Sequence, residues 1–176
     1  MLDPELAHRF TVKSIRLLQY FNLKRFYRWM GAEQPAENLK TRVFGLEFPS
    51  PVGVAAGLDK NAEMVDALPK LGFGFAEIGT ATPKAQPCNP KPRLFRLPAD
   101  KALINRMGFN NIGAEAIAAR LQKDFAPFII GGNIGKNTAT PNAEAINDYV
   151  KSFRELYPVA DYFVVNVSCP NITDLK

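Results

Sequence analysis

Hydrophobic positions along the chain follow two spacings, one typical of strands and one typical of helices. Short apolar runs predict extended segments at residues 43–48, 52–56, 73–78, 128–133 and 162–167. Between them, apolar residues recur three and four positions apart and predict helices over residues 61–71, 111–125 and 140–153. For the last helix we expect Thr140 as the N-cap and Pro141 at the first position. Its expected inward face is Ile146, Tyr149, Val150 and Phe153.

The first 36 residues have a helical pattern of their own. Asp3 as a cap and Pro4 at the first helical position predict the start of one helix. The apolar residues Leu6, Phe10, Leu17 and Leu18 recur along it at roughly helical spacing. A second helix is predicted from the i, i+3, i+4, i+7 pattern of Leu23, Phe26, Tyr27 and Met30. We therefore divide the chain into a helical module, residues 1–36, and an α/β domain, residues 37–176.

The alternation of strands and helices after residue 37 indicates a parallel sheet covered by helices. The chain has four strands of the βα type, which is half of an eight-stranded barrel of about 250 residues. A complete flavodoxin-like domain would show a fifth strand and a terminal helix, whereas this chain stops shortly after its fourth strand. We therefore expect the first half of a (β/α)8 TIM barrel, preceded by the helical module. The missing C-terminal half would lie in the same or a separate chain.

Composition narrows the class of protein. Of 176 residues, 47% are hydrophobic and 22% are charged, which is typical of a folded globular protein and excludes disorder as the main state. Two cysteines, Cys88 and Cys169, are too few for a disulfide scaffold, and Cys88 has the context of an ordinary loop thiol. Because His8 is the one histidine, we expect no metal site.

The net charge of +5 is concentrated at the start of the chain. Residues 1–30 hold six basic and two acidic side chains, while the remaining residues are nearly balanced. A basic amphipathic segment favours an anionic membrane surface or an acidic partner, and a solvated helix face is the alternative. We expect no nucleic-acid partner.

Polar residues follow the predicted strands, where the chemistry of a barrel lies. Counted over the four strands of the βα type, at 52–56, 73–78, 128–133 and 162–167, they are Ala56, Gly57 and Lys60 after the first, Thr80 after the second, Asn133 at the end of the third, and Asn166, Cys169 and Asn171 after the fourth. Residues 104–111 add further amides between the second and third strands. This set suits hydrogen bonding to a planar heterocycle with carbonyl and imide groups. It lacks the carboxylates of a glycosidase pair or a divalent metal site.

Six motifs in order resemble those of dihydroorotate dehydrogenase, the flavoprotein family that oxidises dihydroorotate to orotate in the de novo synthesis of pyrimidines (UMP). They are AAGLDK at 55–60, EIGT at 77–80, KPRLFRLP at 91–98, INRMGFNN at 104–111, NIGKN at 133–137 and NVSCPN at 166–171. LDPE and AHRF within residues 2–10 further resemble the N-terminal extension of class 2, the membrane-associated and quinone-using branch.

The resemblance implies roles for individual residues. The residues implied to bind FMN are Ala56, Gly57, Lys60, Thr80, Asn133 and Asn166. Those implied to bind dihydroorotate are Lys60, Asn105, Arg106, Met107, Gly108, Phe109, Asn166 and Asn171. His8 and Arg96 are placed at a quinone tunnel, where they could hydrogen-bond a quinone carbonyl. The family also implies peripheral attachment to the cytoplasmic face of the cell membrane.

We expect the N-terminal module to deliver quinone from the membrane. The residues expected to line its apolar groove are Leu6, Phe10, Leu23, Phe26, Tyr27 and Met30, with Lys24, Arg25 and Arg28 facing the lipid headgroups. The competing interpretation is that the two helices only cap the barrel and bury their apolar stripe.

Cys169 stands where the family places the base that removes a proton from C5 of the substrate. Class 2 members usually carry serine there, whereas the soluble class 1 members carry cysteine. A thiol ionises near neutral pH far more readily than an alcohol, so the substitution is chemically competent. Two alternatives stay open: a soluble class 1 enzyme that uses fumarate or NAD, and an inactive half-barrel fragment.

Overall fold

A computed structural model describes residues 3–18, 35–122, 128–169 and 171. Its helices are α1 (Pro4–Leu18), α2 (Ala114–Leu121) and α3 (Ala145–Leu156). Its strands are β1 (Thr41–Val43), β2 (Leu46–Phe48), β3 (Phe75–Ala81), β4 (Leu94–Leu97), β5 (Ala102–Asn105), β6 (Ile129–Ile134) and β7 (Tyr162–Val165). Short 3-10 helices lie at Glu37–Leu39, Pro69–Leu71 and Asn142–Glu144.

The central sheet is parallel, as the alternation of strands and helices predicts. β3, β6 and β7 lie side by side in chain order, with Ile78 opposite Gly132 and Asn133 opposite Val164. The predicted strand at residues 52–56 is reduced to a single parallel bridge between Val54 and Ala76 on the open side of β3. Parallel neighbours in chain order, joined through helices, confirm the α/β class.

The main core lies between this sheet and the helices. Ile78 and Ile130 of the sheet pack with Ile117 and Leu121 of α2 and with Leu156 of α3. Each of these side chains is at most 5% exposed. Burial of a side chain of this size stabilises the fold by about 1.5–3 kcal/mol. The core therefore fixes the strands whose carboxyl ends carry the candidate site.

Helix α1 packs beside the sheet. Its residues Val12 and Ile15 contact a second apolar cluster that includes Val54 and Met64. Leu6 and Phe10, which we expected to line a groove, are instead 54% and 68% exposed, because the opposite face of α1 is the one that packs. Residues 23–30, which were expected to form the second helix, lie outside the described residues. In the described part of the chain, no helix combines the length and apolar character that a membrane span needs.

Two predicted elements take another form. Residues 61–71 form turns that end in a 3-10 helix at Pro69–Leu71, because the buried Asp59 carboxylate accepts the backbone N–H groups of Glu63 and Met64 and holds a tight turn there. The segment at 80–98, for which the hydrophobic pattern predicts neither strand nor helix, contains β4, which pairs with β5 in an antiparallel hairpin. Residues 43–48 likewise belong to the β1–β2 hairpin. Antiparallel pairing depends on a partner strand, so local pattern does not reveal it.

The two later helices begin after their predicted starts. α2 begins at Ala114 after Gly113, and α3 begins at Ala145 after the 3-10 turn, so neither Thr140 nor Pro141 starts the helix proper. Tyr149 packs against the core as expected, but Ile146, Val150 and Phe153 are 65%, 39% and 39% exposed. Ser152 and Leu156 are the buried residues of α3. More apolar residues lie on α3 than the neighbouring described residues bury, so part of its apolar face is exposed.

Candidate active site

Three polar residues meet at the carboxyl ends of β3, β6 and β7. The Thr80 hydroxyl donates to Asn133 Oδ1 at 2.6 Å and accepts from Asn166 Nδ2 at 3.1 Å. Thr80 and Asn133 are 5% and 6% exposed. The parallel register aligns the strand ends, so residues 53 and 86 positions from Thr80 become its direct partners. Three residues that the resemblance assigns to the flavin therefore form one hydrogen-bonded group.

The loop after the Val54 bridge comes close to this group. Gly57 N donates to Gly79 O at 3.0 Å, which ties the loop to β3. Gly57 has a φ of +111°, and an added Cβ would meet nothing within 4 Å. Only glycine adopts this backbone at low cost, and the free space beside it allows a flat ligand to approach the main chain.

Lys60 joins that loop to residues 105–110. Its Nζ donates to Gly108 O at 2.8 Å and to Asn110 Oδ1 at 2.7 Å. Burial lowers the pKa of the Lys60 ammonium from its usual value, while the nearby thiols of Cys88 and Cys169 oppose that shift. The amine is thus a partly desolvated donor held between two loops.

Asn105 ends β5, and residues 106–109 form one compact turn after it. Asn105 Oδ1 accepts the backbone N–H of Met107 at 2.9 Å, and the Arg106 guanidinium lies 5.8 Å from the centre of the Phe95 ring. Phe109 is buried and packs against Cys169, which is 8% exposed. The structure therefore brings the expected base beside the turn that is expected to bind the substrate.

A cavity of about 620 Å³ lies between α1, the β4–β5 hairpin and the loop at residues 57–61. It is lined by Gly57, Lys60, Asn105 and Met107 of the expected site and by His8 of α1. Thr80, Asn133, Asn166 and Cys169 do not line it. Lys60 therefore belongs to the cavity lining, whereas the hydrogen-bonded group at the strand ends does not.

His8 and Arg96 differ in their relation to this cavity. His8 Nε2 lies 3.0 Å from Leu58 O, and because a carbonyl only accepts, Nε2 carries the proton in that bond. Nδ1 is the ring nitrogen that this bond leaves available. Arg96 is exposed and does not line the cavity, but it lies opposite Leu103, which does.

Several residues of the site carry no assigned role in the sequence-based prediction. Asn111 and Asn137 form a buried group with Thr82: each donates from Nδ2 to the Thr82 hydroxyl, at 2.8 Å and 3.0 Å. Both lie inside the quoted motifs, and their motif position was the available signal. Cys88, expected to be an ordinary loop thiol, lines the cavity with Lys60.

Glu5 has the largest unpredicted role. Its side chain is 6% exposed and accepts both Nε and Nη2 of Arg93, at 3.0 Å and 2.6 Å. The Arg93 guanidinium holds the pKa of the Glu5 carboxyl below its usual value. A contact across 88 positions leaves no local signal in the sequence.

Comparison with known proteins gives consistent matches. The family model described as dihydroorotate dehydrogenase matches residues 38–176. A protein of Methylobacillus flagellatus named dihydroorotate dehydrogenase (quinone) is 47% identical over 99% of this chain and 50% of its own length. A protein of the same name from Gloeobacter violaceus is 51% identical over 99% of this chain and 49% of its own length.

Solved structures agree with these sequence matches. The ligand-free DHODH of Eimeria tenella superposes with a TM-score of 0.81 at 40% identity, covering 98% of this chain and 48% of that one. The complex of DHODH with ferulenol from the same organism gives a TM-score of 0.79 at 39% identity, covering 98% and 46%. The chain thus spans about half the length of the relatives that it matches.

Proposed function

Because the chain belongs to the dihydroorotate dehydrogenase family, we propose that it forms the first half of an enzyme that oxidises (S)-dihydroorotate to orotate. FMN is its cofactor, a membrane quinone its electron acceptor, and de novo pyrimidine synthesis its role. The observation that carries this proposal is the hydrogen-bonded group of Thr80, Asn133 and Asn166, with Lys60 and Cys169 supplied by the adjoining loops.

The residues present fit FMN on the side of its ring system. Hydroxyl, amide and ammonium groups provide donors and acceptors for a heterocycle with carbonyl and imide groups. The bare backbone at Gly57 leaves room for a planar ring, and Thr80, Asn133, Asn166 and Lys60 would hold it. When bound, FMN accepts the hydride that the substrate loses.

Cys169 would act as the general base. Its thiolate takes the proton from C5 of dihydroorotate while the hydride leaves C6, so that the C5–C6 bond becomes the double bond of orotate. Asn105, Asn166 and Asn171 would hydrogen-bond the amide and imide groups of the substrate, and Lys60 its carboxylate. Phe109 packs beside the thiol.

The cavity beside α1 is the proposed route for the quinone. Its α1 wall includes His8 and Val12, and the β4–β5 hairpin contributes Leu94 and Leu103, with Arg96 on the same face of the hairpin. The outer face of α1 exposes Leu6, Phe10 and Leu17 beside Arg9 and Lys13. Apolar and basic side chains on one exposed face support peripheral binding to the anionic, cytoplasmic side of the cell membrane.

Two alternatives are distinguished by one set of measurements. Cys169 is the feature that favours a class 1 enzyme using fumarate or NAD, whereas the relatives named as quinone enzymes favour the class 2 assignment. In the complete protein, dihydroorotate oxidation should be supported by a short-chain quinone and not by fumarate or NAD. Faster turnover with fumarate or NAD would move the assignment to class 1.

A purified protein with the 19.5 kDa mass of this chain and no flavin spectrum would instead favour the inactive half-barrel fragment. The family places the phosphate site of such barrels after the seventh and eighth strands. The 176-residue chain by itself should therefore bind FMN weakly. Tight, stoichiometric FMN in a verified 19.5 kDa monomer would contradict the half-barrel interpretation.

A further inference from the structure

Resting on the function proposed above, we propose that Asn89 is a positioning residue for dihydroorotate. It holds the two substrate-binding segments, residues 105–109 and the segment that contains Asn171, in register with each other. The ion pair between Glu5 of α1 and Arg93 holds Asn89 in turn.

Asn89 joins the two segments through its amide. Its Nδ2 donates to Asn171 O at 2.9 Å and to Arg106 O at 3.1 Å, which uses both hydrogens of the amide. Its backbone N donates to Met107 O at 3.0 Å. One residue therefore fixes the main chain of the turn after β5 relative to the loop after β7, 82 positions away from Asn89.

Gly108 lies between Asn89 and the amine of Lys60. It has a φ of +78°, and an added Cβ would lie 3.2 Å from the Asn89 side-chain amide. Its carbonyl oxygen accepts from Lys60 Nζ on the other side. Asn89 thus holds the turn on one side and Lys60 holds it on the other. Loss of the Asn89 amide would therefore loosen Gly108, which Lys60, a residue proposed to bind the substrate, contacts directly.

Arg93 connects Asn89 to helix α1. Arg93 Nη1 donates to Asn89 O at 2.6 Å, and Arg93 O accepts from Arg106 N at 2.7 Å. The rest of the guanidinium binds the Glu5 carboxylate through two parallel hydrogen bonds, the arrangement that fixes orientation best. Arg9 at 2.7 Å and Lys91 at 3.9 Å also contact Glu5, so α1 carries a strongly held anion at this point.

The test uses Asn89→Ala and Asn89→Asp in the complete protein. Both variants lose the two side-chain donors, and Asp keeps the size of the residue. We expect the KM for dihydroorotate and the Kd for orotate to rise about five- to a hundredfold, the worth of two hydrogen bonds. The kcat at saturating substrate should stay within about threefold, because Asn89 contacts only backbone carbonyls of the site.

Two further variants provide a matched control and a test of the Glu5–Arg93 ion pair. Asn147→Asp makes the same chemical change on an exposed position of α3 and should leave KM and Kd unchanged. Glu5→Gln removes the charge that orients Arg93 and should raise KM in the same direction by a few fold. Circular dichroism and thermal unfolding establish which variants are folded.

The outcomes separate this inference from the proposed function. Wild-type protein that neither oxidises dihydroorotate nor binds orotate refutes the proposed function and this inference with it. Active wild type together with a folded Asn89 variant that keeps the wild-type KM and Kd overturns the positioning role alone. A fall in kcat at unchanged Kd overturns it as well. If neither Asn89 variant folds, Glu5→Gln decides, and an unchanged KM overturns the inference.

Discussion

Thr80→Val tests the hydrogen-bonded group at the strand ends. Valine has nearly the shape of threonine and suits a strand, so the change removes the hydroxyl and leaves the packing of β3 in place. Asn133 Oδ1 loses its donor at 2.6 Å, and Asn166 Nδ2 loses its acceptor at 3.1 Å. Both effects concern the residues proposed to face the flavin.

The expected cost follows from the burial of the two partners. Asn133 is 6% exposed, so an unpaired Oδ1 there costs about 1–3 kcal/mol. Asn166 is half-buried, and water can replace part of its lost bond, which leaves a cost of about 0.5–1 kcal/mol. The free energy of unfolding should therefore fall by about 1.5–4 kcal/mol.

Urea unfolding of the complete protein measures this difference. The slope of the unfolding free energy against urea concentration should be the same for Thr80→Val and wild type. Fluorescence titration of the same samples should show FMN binding weakened by about tenfold or more. The matched control is Thr41→Val on the exposed strand β1, where only a local hydrogen bond to Leu39 O is lost and the change should stay below about 0.5 kcal/mol. Thr80→Val protein with the stability and FMN affinity of wild type would refute the reasoning.

Four other changes have defined outcomes. Cys169→Ala should slow flavin reduction by dihydroorotate by about 10²-fold or more at normal flavin content. If stopped flow shows flavin reduction in Cys169→Ala at the wild-type rate, Cys169 is not the base. Cys169→Ser should be active but require higher pH. Deleting residues 1–36 should leave flavin reduction at saturating dihydroorotate while quinone turnover and binding to anionic vesicles are lost; unchanged quinone turnover would indicate a structural role and favour class 1. Ser152→Ala should stabilise the protein by about 1 kcal/mol in urea unfolding, because the buried hydroxyl of Ser152 has no hydrogen-bond partner among the residues that the structure describes; a loss of stability would show that the hydroxyl is satisfied. Burial raises the pKa of the Asp59 carboxyl, so protonation of Asp59 stabilises the fold fully below the pKa of about 3.9 of an unfolded Asp, and this stabilisation is lost as pH rises through the raised folded value. Asp59→Asn should remove this part of the pH dependence of the free energy of unfolding. An unchanged dependence on pH would contradict the prediction.

The sequence by itself determined the α/β class, the order of the parallel strands and the positions of the polar residues at their ends. Runs of apolar residues mark β3, β6 and β7, because a strand covered on both faces must be apolar along its length. The polar residues follow those runs directly, so the sequence is sufficient to locate Thr80, Asn133 and Cys169 at the strand ends. Periodicity and strand-end position are local properties, and local properties can be read from a single chain.

Only the tertiary structure decided which of these residues touch and what supports them. The bond from Thr80 to Asn133, the Glu5–Arg93 ion pair and the role of Asn89 all join segments that are 53 or more positions apart. The exposure of Leu6 and Ile146 was likewise set by which neighbours cover each helix, although both positions have the same apolar pattern as buried ones. Hydrogen bonds and burial depend on the partner across space, and the spacing of residues along one segment carries no information about that partner.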